Sequence, residues 1–144
     1  MFFMKKVIVI GCSGAGKSFF AKKLRDVTGL ALYHLDMIWW KPDRTHITRE
    51  EFDEKLTNIL ETDRWIIDGE YSRTLEMRLK KCDTVFFLDF PLSVCLEGAA
   101  ARVGKKRDDI PWAEDKLDED FRQYITDFHG ETLNQMRQLL KKVQ

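Results

Sequence analysis

The stretch VIVIGCSGAGKSFF, residues 7–20, decides the fold of this chain because it joins three local patterns in a fixed order. Four β-branched apolar residues come first, as in a strand that is buried on both faces. A loop of small residues follows, and residues 11–18 fit the pattern G-x-x-x-x-G-K-[S/T] without a gap. Bulky residues then resume after Lys17 and Ser18. We therefore predict a strand, a phosphate-binding loop and a helix.

Each residue type in this loop suits a polyphosphate ligand. Glycines permit positive φ and let backbone N–H groups turn inward, so the loop forms an anion site at a helix N-terminus. Lys17 supplies a cation for the β- and γ-phosphates, and the Ser18 hydroxyl is an oxygen ligand suited to Mg²⁺. We predict that ATP, or another nucleoside triphosphate, binds with Mg²⁺ at Gly11, Ser13, Gly14, Ala15, Gly16, Lys17, Ser18 and Phe19.

Length and composition describe one soluble globular domain. The chain has 144 residues, of which 44% are hydrophobic and 33% are charged. Lys and Arg together number 24, as do Asp and Glu, so no overall positive field favours nucleic acid or a membrane surface as a partner. The apolar run after Lys6 is short for a signal peptide, and three widely spaced cysteines give no disulfide pattern. We expect a cytoplasmic monomer or homodimer.

Strand-like and helix-like segments alternate along the chain, which predicts an α/β fold with a parallel sheet and helices on both faces. The predicted strands lie near residues 4–10, 31–35, 64–68 and 83–90. The predicted helices lie near residues 16–28, 48–61, 72–81, 91–102, 114–129 and 131–142. No fifth strand is expected after the last helix.

A second informative stretch is WIIDGEYSRTLEMRL, residues 65–79. Asp68 ends an apolar strand, where its carboxylate can hold a water of a magnesium shell, and Gly69 permits a sharp turn. Arg73 and Arg78 either bind a second anionic group or are solvated helix cations. Asp89, which follows the fourth strand, is the alternative magnesium carboxylate, and we prefer Asp68 because of the turn that follows it.

These residues resemble the adenylate-kinase-like group of small phosphate-loop kinases, whose DG-x-x-R-T turn is similar to residues 68–74. The resemblance implies a three-layer fold with sheet order 2-3-1-4, and it implies that Arg73 grips a phosphate of the acceptor. A closer resemblance, to bacterial DNA topology modulation proteins, covers residues 4–109. It is carried by IGCSGAGKS, YHLDMIWWKP, EEFDE, RWIIDGEYSRTLEMRL, DTVFFLDFP and GKKRDD.

An acceptor-binding segment is expected at about residues 36–64. Asp36 follows the second strand, where it either contacts the acceptor hydroxyl or ends the strand in a turn. Trp39, like Trp40, either stacks on a base or sugar face or covers the helix over 48–61.

A short lid is expected at about residues 102–113. In similar kinases an R-x-x-G-R-R segment closes on the transferred phosphoryl group, and ARVGKKR is similar to it, with Arg102 matching. Lys105, Lys106 and Arg107 add cations, although such a cluster can also compensate a helix dipole.

The sequence predicts an ATP-dependent phosphotransferase with Lys17, Asp36, Arg73 and Arg102 as catalytic candidates. The substrate-binding candidates are Asp36, Trp39, Arg73, Arg78, Lys105 and Arg107, and the metal candidates are Ser18 and Asp68. A nucleoside monophosphate is the first candidate acceptor, and a neutral polyol or sugar is the second. The alternative is a nucleotide-dependent regulatory or binding protein linked to DNA topology.

Overall fold

The computed structural model describes residues 4–105, 109–112 and 119–142. The strands are β1 (Lys6–Gly11), β2 (Leu32–His34), β3 (Trp65–Asp68) and β4 (Thr84–Leu88). The helices are α1 (Lys17–Thr28), α2 (Leu35–Trp39), α3 (Arg49–Leu60), α4 (Leu75–Lys81), α5 (Leu92–Ala101), α6 (Glu119–Asp127) and α7 (Leu133–Lys142). A 3₁₀ turn, Ser72–Thr74, precedes α4, and a kink at Gly130 separates α6 from α7.

The four strands form one parallel sheet in the order β2-β3-β1-β4, as predicted. The central strand β1 pairs with β3 through Val7 and Ile66, and with β4 through Val7 and Thr84. Parallel pairing places the carboxyl ends of all four strands at one edge, which is where open α/β sheets bind their ligands.

Alternation along β1 divides the core into two layers, one on each face of the sheet. Val7 and Val9 pack on one face with Ala21 of α1, while Ile8 and Ile10 pack on the other with residues of α3 to α7. The apolar strands are therefore covered on both sides, which confirms the three-layer arrangement. None of the helices in the described ranges is both long and apolar enough to cross a bilayer.

Two local features bear on the sequence predictions. Thr48 caps α3, at the start of the helix predicted near 48–61, because its hydroxyl accepts a hydrogen bond from the Glu51 N–H at 3.1 Å. Asp36 does not end the second strand in a turn. Strand β2 stops at His34, and Asp36 lies in the first turn of the short helix α2.

The phosphate-binding loop packs directly against α5, backbone on backbone. A Cβ atom added at Gly98 would lie 2.1 Å from the Gly14 carbonyl oxygen, and one added at Gly14 would lie 1.9 Å from the Cys95 carbonyl oxygen. Gly14 also has a φ of 85°, in the left-handed region. The loop and helix α5 can approach this closely only because both positions lack a side chain.

This contact predicts an unusual sign for Gly98→Ala. Intrinsic helix propensity alone would stabilise α5 by about 1 kcal/mol, but the added methyl group meets backbone that has little room to move. We expect the free energy of unfolding to fall by about 1–3 kcal/mol, with weaker nucleotide binding, measured by denaturant titration and calorimetry. Ala100→Ser, at an exposed position of the same helix, is the control. A Gly98→Ala protein that is more stable than wild type would contradict the prediction.

Candidate nucleotide and acceptor site

A cavity of about 1030 Å³ opens at the carboxyl edge of the sheet. It brings together eleven of the predicted site residues: Ser13, Gly14, Gly16, Lys17, Ser18, Phe19, Asp36, Trp39, Asp68, Arg102 and Lys105. Gly11 and Ala15 belong to the loop but do not line the cavity. Gly11 packs against β4, where a Cβ would lie 2.7 Å from the Leu88 carbonyl oxygen, and Ala15 is buried. The cavity is large enough for more than one small ligand.

The loop presents an open helix N-terminus to this cavity. Gly16 is the N-cap of α1, with a φ of 91°, and no side chain caps the helix there. The first backbone bond of the helix runs from the Phe20 N–H to the Gly16 carbonyl, so the N–H groups of the first three helical residues have no backbone partner in the described part of the chain and can bind a ligand. The Lys17 ammonium donates to the Cys12 carbonyl at 3.0 Å. These groups fit a polyphosphate, which the lysine can reach once it leaves that carbonyl.

The metal candidates Ser18 and Asp68 line the same cavity. The Ser18 hydroxyl donates to Asp109 at 2.7 Å, and His34 Nδ1 lies 2.6 Å from Asp68 Oδ2. Across the described residues there is no group of three or more His, Cys, Asp or Glu side chains placed to hold a metal. The set fits Mg²⁺ that brings phosphate oxygens and waters with it, and that needs few protein ligands.

Asp36 faces the cavity from α2 and is held by a phenol. The Tyr71 hydroxyl donates to Asp36 Oδ1 at 2.6 Å. Burial raises the pKa of Asp36, while the bond from Tyr71 and the charge of Lys17 oppose that rise. A carboxylate of raised pKa close to the phosphate loop is suited to accept a proton from a hydroxyl group.

A second pair of a carboxylate and a phenol lies beside the first. The Tyr124 hydroxyl, on α6, donates to Glu70 Oε2, and both residues line the cavity. Glu70 and Tyr71 are adjacent on the turn after β3, so the two pairs share this short segment. Neither the two phenols nor Glu70 could be predicted from the sequence as site residues, since only the fold brings α6 to this turn.

Arg78 is placed differently from the prediction that it binds substrate. Its side chain is fully buried, outside the cavity lining, and its guanidinium donates to the carbonyls of Gly69, Glu70 and Tyr71 and to the Thr74 hydroxyl. Burial lowers the pKa of Arg78 to about 10, so the group keeps its charge at neutral pH. The guanidinium therefore forms four hydrogen bonds that hold the turn.

Tyr71 has a strained backbone conformation, and hydrogen bonds from Arg78 stabilise it. Its φ of 27° is rare for a residue with a side chain, and such conformations persist only where the surroundings fix them. Its carbonyl accepts from Arg78, from the Thr74 N–H and from the Thr74 hydroxyl. The buried cation therefore fixes the strained residue whose phenol holds Asp36.

Arg73 also lies away from the large cavity. Its guanidinium forms a two-pronged contact with Asp53, with N–O distances of 2.8 and 3.1 Å. It lines a smaller cavity of about 270 Å³, together with Trp39 and Tyr71. The two arginines of the predicted phosphate grip are therefore separated, one paired at the surface and one buried.

Trp39 covers helix α3, one of the two uses that the sequence left open, and its place at the cavity keeps stacking on a ligand as a proposal. Its ring stacks on His46, with centroids 4.3 Å apart, and meets Phe52 of α3 edge-on at 5.6 Å. It also lines the cavity. Trp40 meets Trp112 edge-on at 5.5 Å, and the Arg44 guanidinium lies 5.5 Å from the centroid of the Trp112 ring.

The predicted lid is described only in part. Arg102 ends α5 and lines the cavity with Lys105, and both lie in the turn that follows the helix. Lys106 and Arg107 lie outside the described residues. Asp89, the alternative metal carboxylate, is about two-fifths exposed and pairs with Arg137 at 2.7 Å, away from the cavity.

Comparison with known proteins supports the fold. No family model and no curated protein sequence matches the chain. Among solved structures, deoxyadenosine kinase from M. mycoides with bound dATP matches with a TM-score of 0.50 at 11% identity, covering 91% of this chain and 86% of the other. Shikimate kinase from Acinetobacter baumannii, in complex with shikimate, matches with a TM-score of 0.49 at 13% identity, covering 92% and 95%. The chain has the α/β fold of phosphate-loop kinases, and identities this low show the fold alone.

We predict that Arg78→Met destabilises the protein by at least about 3 kcal/mol, because the buried carbonyls of the turn lose their hydrogen-bond donors. Lys80→Met, at an exposed position of the same helix, should change the free energy of unfolding by no more than about 0.5 kcal/mol. Urea titration measures both. Equal stabilities for the two variants would show that Arg78 does not hold the turn.

Proposed function

We propose that this chain is a phosphotransferase that moves the γ-phosphoryl group of a nucleoside triphosphate, bound with Mg²⁺, to a hydroxyl group of a small acceptor. The observation that supports this most directly is that one cavity brings together the uncapped N-terminus of α1, Lys17 and the partly buried carboxylate of Asp36. The name of the similar structure with a TM-score of 0.50, a deoxyadenosine kinase, agrees with this reaction class.

The reaction needs little covalent chemistry from the protein. The acceptor oxygen forms a bond to the γ-phosphorus while the bond from that phosphorus to the bridging oxygen breaks, which releases a nucleoside diphosphate. Asp36 takes the hydroxyl proton, and Lys17 with the loop N–H groups neutralises charge on the phosphate oxygens. The Mg²⁺ ion supplies further charge neutralisation when it is bound. Arg102 and Lys105 provide additional cations at the cavity wall.

Two parts of the sequence interpretation remain as proposals. ATP is the first candidate donor, and the site has no feature among the described residues that we can assign to a base. A role on DNA, as the resemblance to topology modulation proteins suggests, has weaker support, because the net charge is zero and Arg73 is already paired with a carboxylate.

A direct test incubates the protein with Mg·ATP and a panel of nucleosides, nucleoside monophosphates, sugars and polyols, and measures ADP release. We expect one class of acceptor to raise the rate, and Lys17→Ala to lower kcat/KM by about 10²-fold or more, because a cation on the transferred group is lost. The proposal fails if no acceptor raises ADP release above the Lys17→Ala level and calorimetry detects no nucleotide binding.

The metal assignment gives a separate prediction with a matched control. Asp68 is 4% exposed and lines the cavity, whereas Asp89 lies outside it. We expect Asp68→Asn to reduce the gain in nucleotide affinity that Mg²⁺ provides, measured by calorimetry with and without the ion, because an amide is a poorer partner for the hydrated cation. Asp89→Asn should leave that gain at the wild-type value. The reverse pattern would reassign the metal carboxylate.

A further inference from the structure

We propose that the acceptor is an uncharged ring compound with neighbouring hydroxyl groups, a sugar or a nucleoside, and that Asp36 and Glu70 accept hydrogen bonds from those hydroxyls. This inference rests on the proposed phosphotransferase function and names its substrate class. It departs from the nucleoside monophosphate that the sequence placed first.

The first support is the hydrogen-bonding capacity of the two carboxylates. Asp36 uses Oδ1 to accept from Tyr71, and Glu70 uses Oε2 to accept from Tyr124. Within the described part of the chain, neither Oδ2 of Asp36 nor Oε1 of Glu70 has a hydrogen-bond donor. An ionised carboxylate only accepts, so its partner must be a donor such as a hydroxyl group. A phosphate dianion has no hydrogen to give.

The second support is that the two carboxylates act as neighbours. Glu70 precedes Tyr71 in the chain, so each carboxylate is tied to the same turn, one directly and one through its phenol. Burial raises the pKa of Tyr71, and the charge of Asp36, Tyr124 and Glu70 add to that rise in turn. Asp36, Tyr124 and Glu70 thus all lie within electrostatic reach of Tyr71, and all four side chains line the same cavity.

The third support is the charge around Asp36. Asp68 and Asp109 both act to raise the pKa of Asp36, and Lys17 of the phosphate loop acts to lower it. A second anionic ligand would face these carboxylates after the triphosphate has engaged Lys17, and like charges held this close repel in a partly buried site.

The fourth support is the placement of the arginines that a phosphorylated acceptor would need. Arg73 is paired with Asp53 outside the large cavity, and Arg78 is buried under the turn. Of the cations that line the large cavity, Lys17 and Lys22 belong to α1, while Arg102 and Lys105 follow α5. Arg44 also lines the cavity, and its guanidinium lies over the ring of Trp112.

The walls of the cavity complete the fit. Aromatic side chains line it on several sides: Trp39, Trp40, Tyr71, Trp112 and Phe121. Flat apolar faces of this kind pack against the face of a sugar or a base, while hydroxyls at the ring edge reach polar groups.

The test uses matched pairs that differ only in a phosphate ester: adenosine with AMP, ribose with ribose 5-phosphate, and glucose with glucose 6-phosphate. Binding is measured by calorimetry on protein loaded with Mg²⁺ and a non-hydrolysable ATP analogue, and turnover by ADP release with Mg·ATP. We expect the uncharged member of one pair to bind at least about 10-fold more tightly than its phosphate ester and to be phosphorylated. The adenosine arm distinguishes a nucleoside from a free sugar.

Variants assign the interaction to the two carboxylates. Glu70→Gln should raise the acceptor KM about 10-fold with a smaller change in kcat, because it weakens a charge-assisted hydrogen bond that is present throughout the reaction. Asp36→Asn should lower kcat. Both should bind the ATP analogue within about twofold of wild type, which also shows that they are folded. Glu76→Gln, at an exposed position of α4, is the control for a lost surface carboxylate.

Three results would overturn the inference. One is tighter binding or faster turnover of a phosphate ester than of its uncharged partner, above all if Arg44→Ala abolishes it. Another is an unchanged acceptor KM in Glu70→Gln. The last is the absence of binding by every uncharged compound of the panel to protein that still binds the ATP analogue. Failure of the wild-type protein to bind Mg²⁺ and nucleotide at all would instead overturn the proposed function.

Discussion

The close backbone contact between Gly14 and Gly98 fixes the phosphate loop, and the arrangement of the cavity depends on it. The Gly14 carbonyl occupies the space that a Cβ atom of residue 98 would need, so α5 and the loop are seated on each other without side chains between them. From this position the chain enters α1 through Gly16 at positive φ, which leaves the helix N-terminus uncapped toward the cavity. Lys17 and Ser18 are the next two residues, so this backbone path determines where their side chains lie.

The turn after β3 is the second fixed element, and it is held by a charge. Burying a guanidinium is costly unless its donors are satisfied, and Arg78 satisfies them with carbonyls of the turn and with a threonine hydroxyl. The same bonds hold Tyr71 in its positive-φ conformation. Glu70 and Tyr71 therefore face the cavity from a turn that is held in place. Hydrogen bonds from Arg78 of α4 offset the backbone strain at Tyr71. Preorganisation of this kind suits a site that must orient a hydroxyl group.

The sequence was informative where a pattern is local. Apolar runs and the glycine loop predicted the strands and the edge of the sheet that holds the site, and the family resemblance implied the sheet order. Asp68, the preferred magnesium candidate, lines the cavity, and Asp89 does not. The sequence failed where side-chain direction depends on a break in regular structure. Arg73 and Arg78 do not share one helix, because a 3₁₀ turn precedes α4, and their guanidinium groups point to different environments. The pairing of Glu70 with Tyr124 joins residues 54 positions apart, and no spacing rule connects them.

In the proposed site, charge would determine which ligand occupies which part of the cavity. A triphosphate would be attracted to the N-terminus and the lysines of α1, while Asp36 and Glu70, near the ends of β2 and β3, would repel it. In this proposal the two carboxylates would accept hydrogen bonds from hydroxyl groups, and they would also keep the phosphates of a second nucleotide out of the acceptor position. Because the pKa of Asp36 is raised by burial, this carboxylate is also a stronger base than a solvated one. In the proposed reaction, recognition of a neutral acceptor and activation of its hydroxyl would follow from the charge of the same carboxylate.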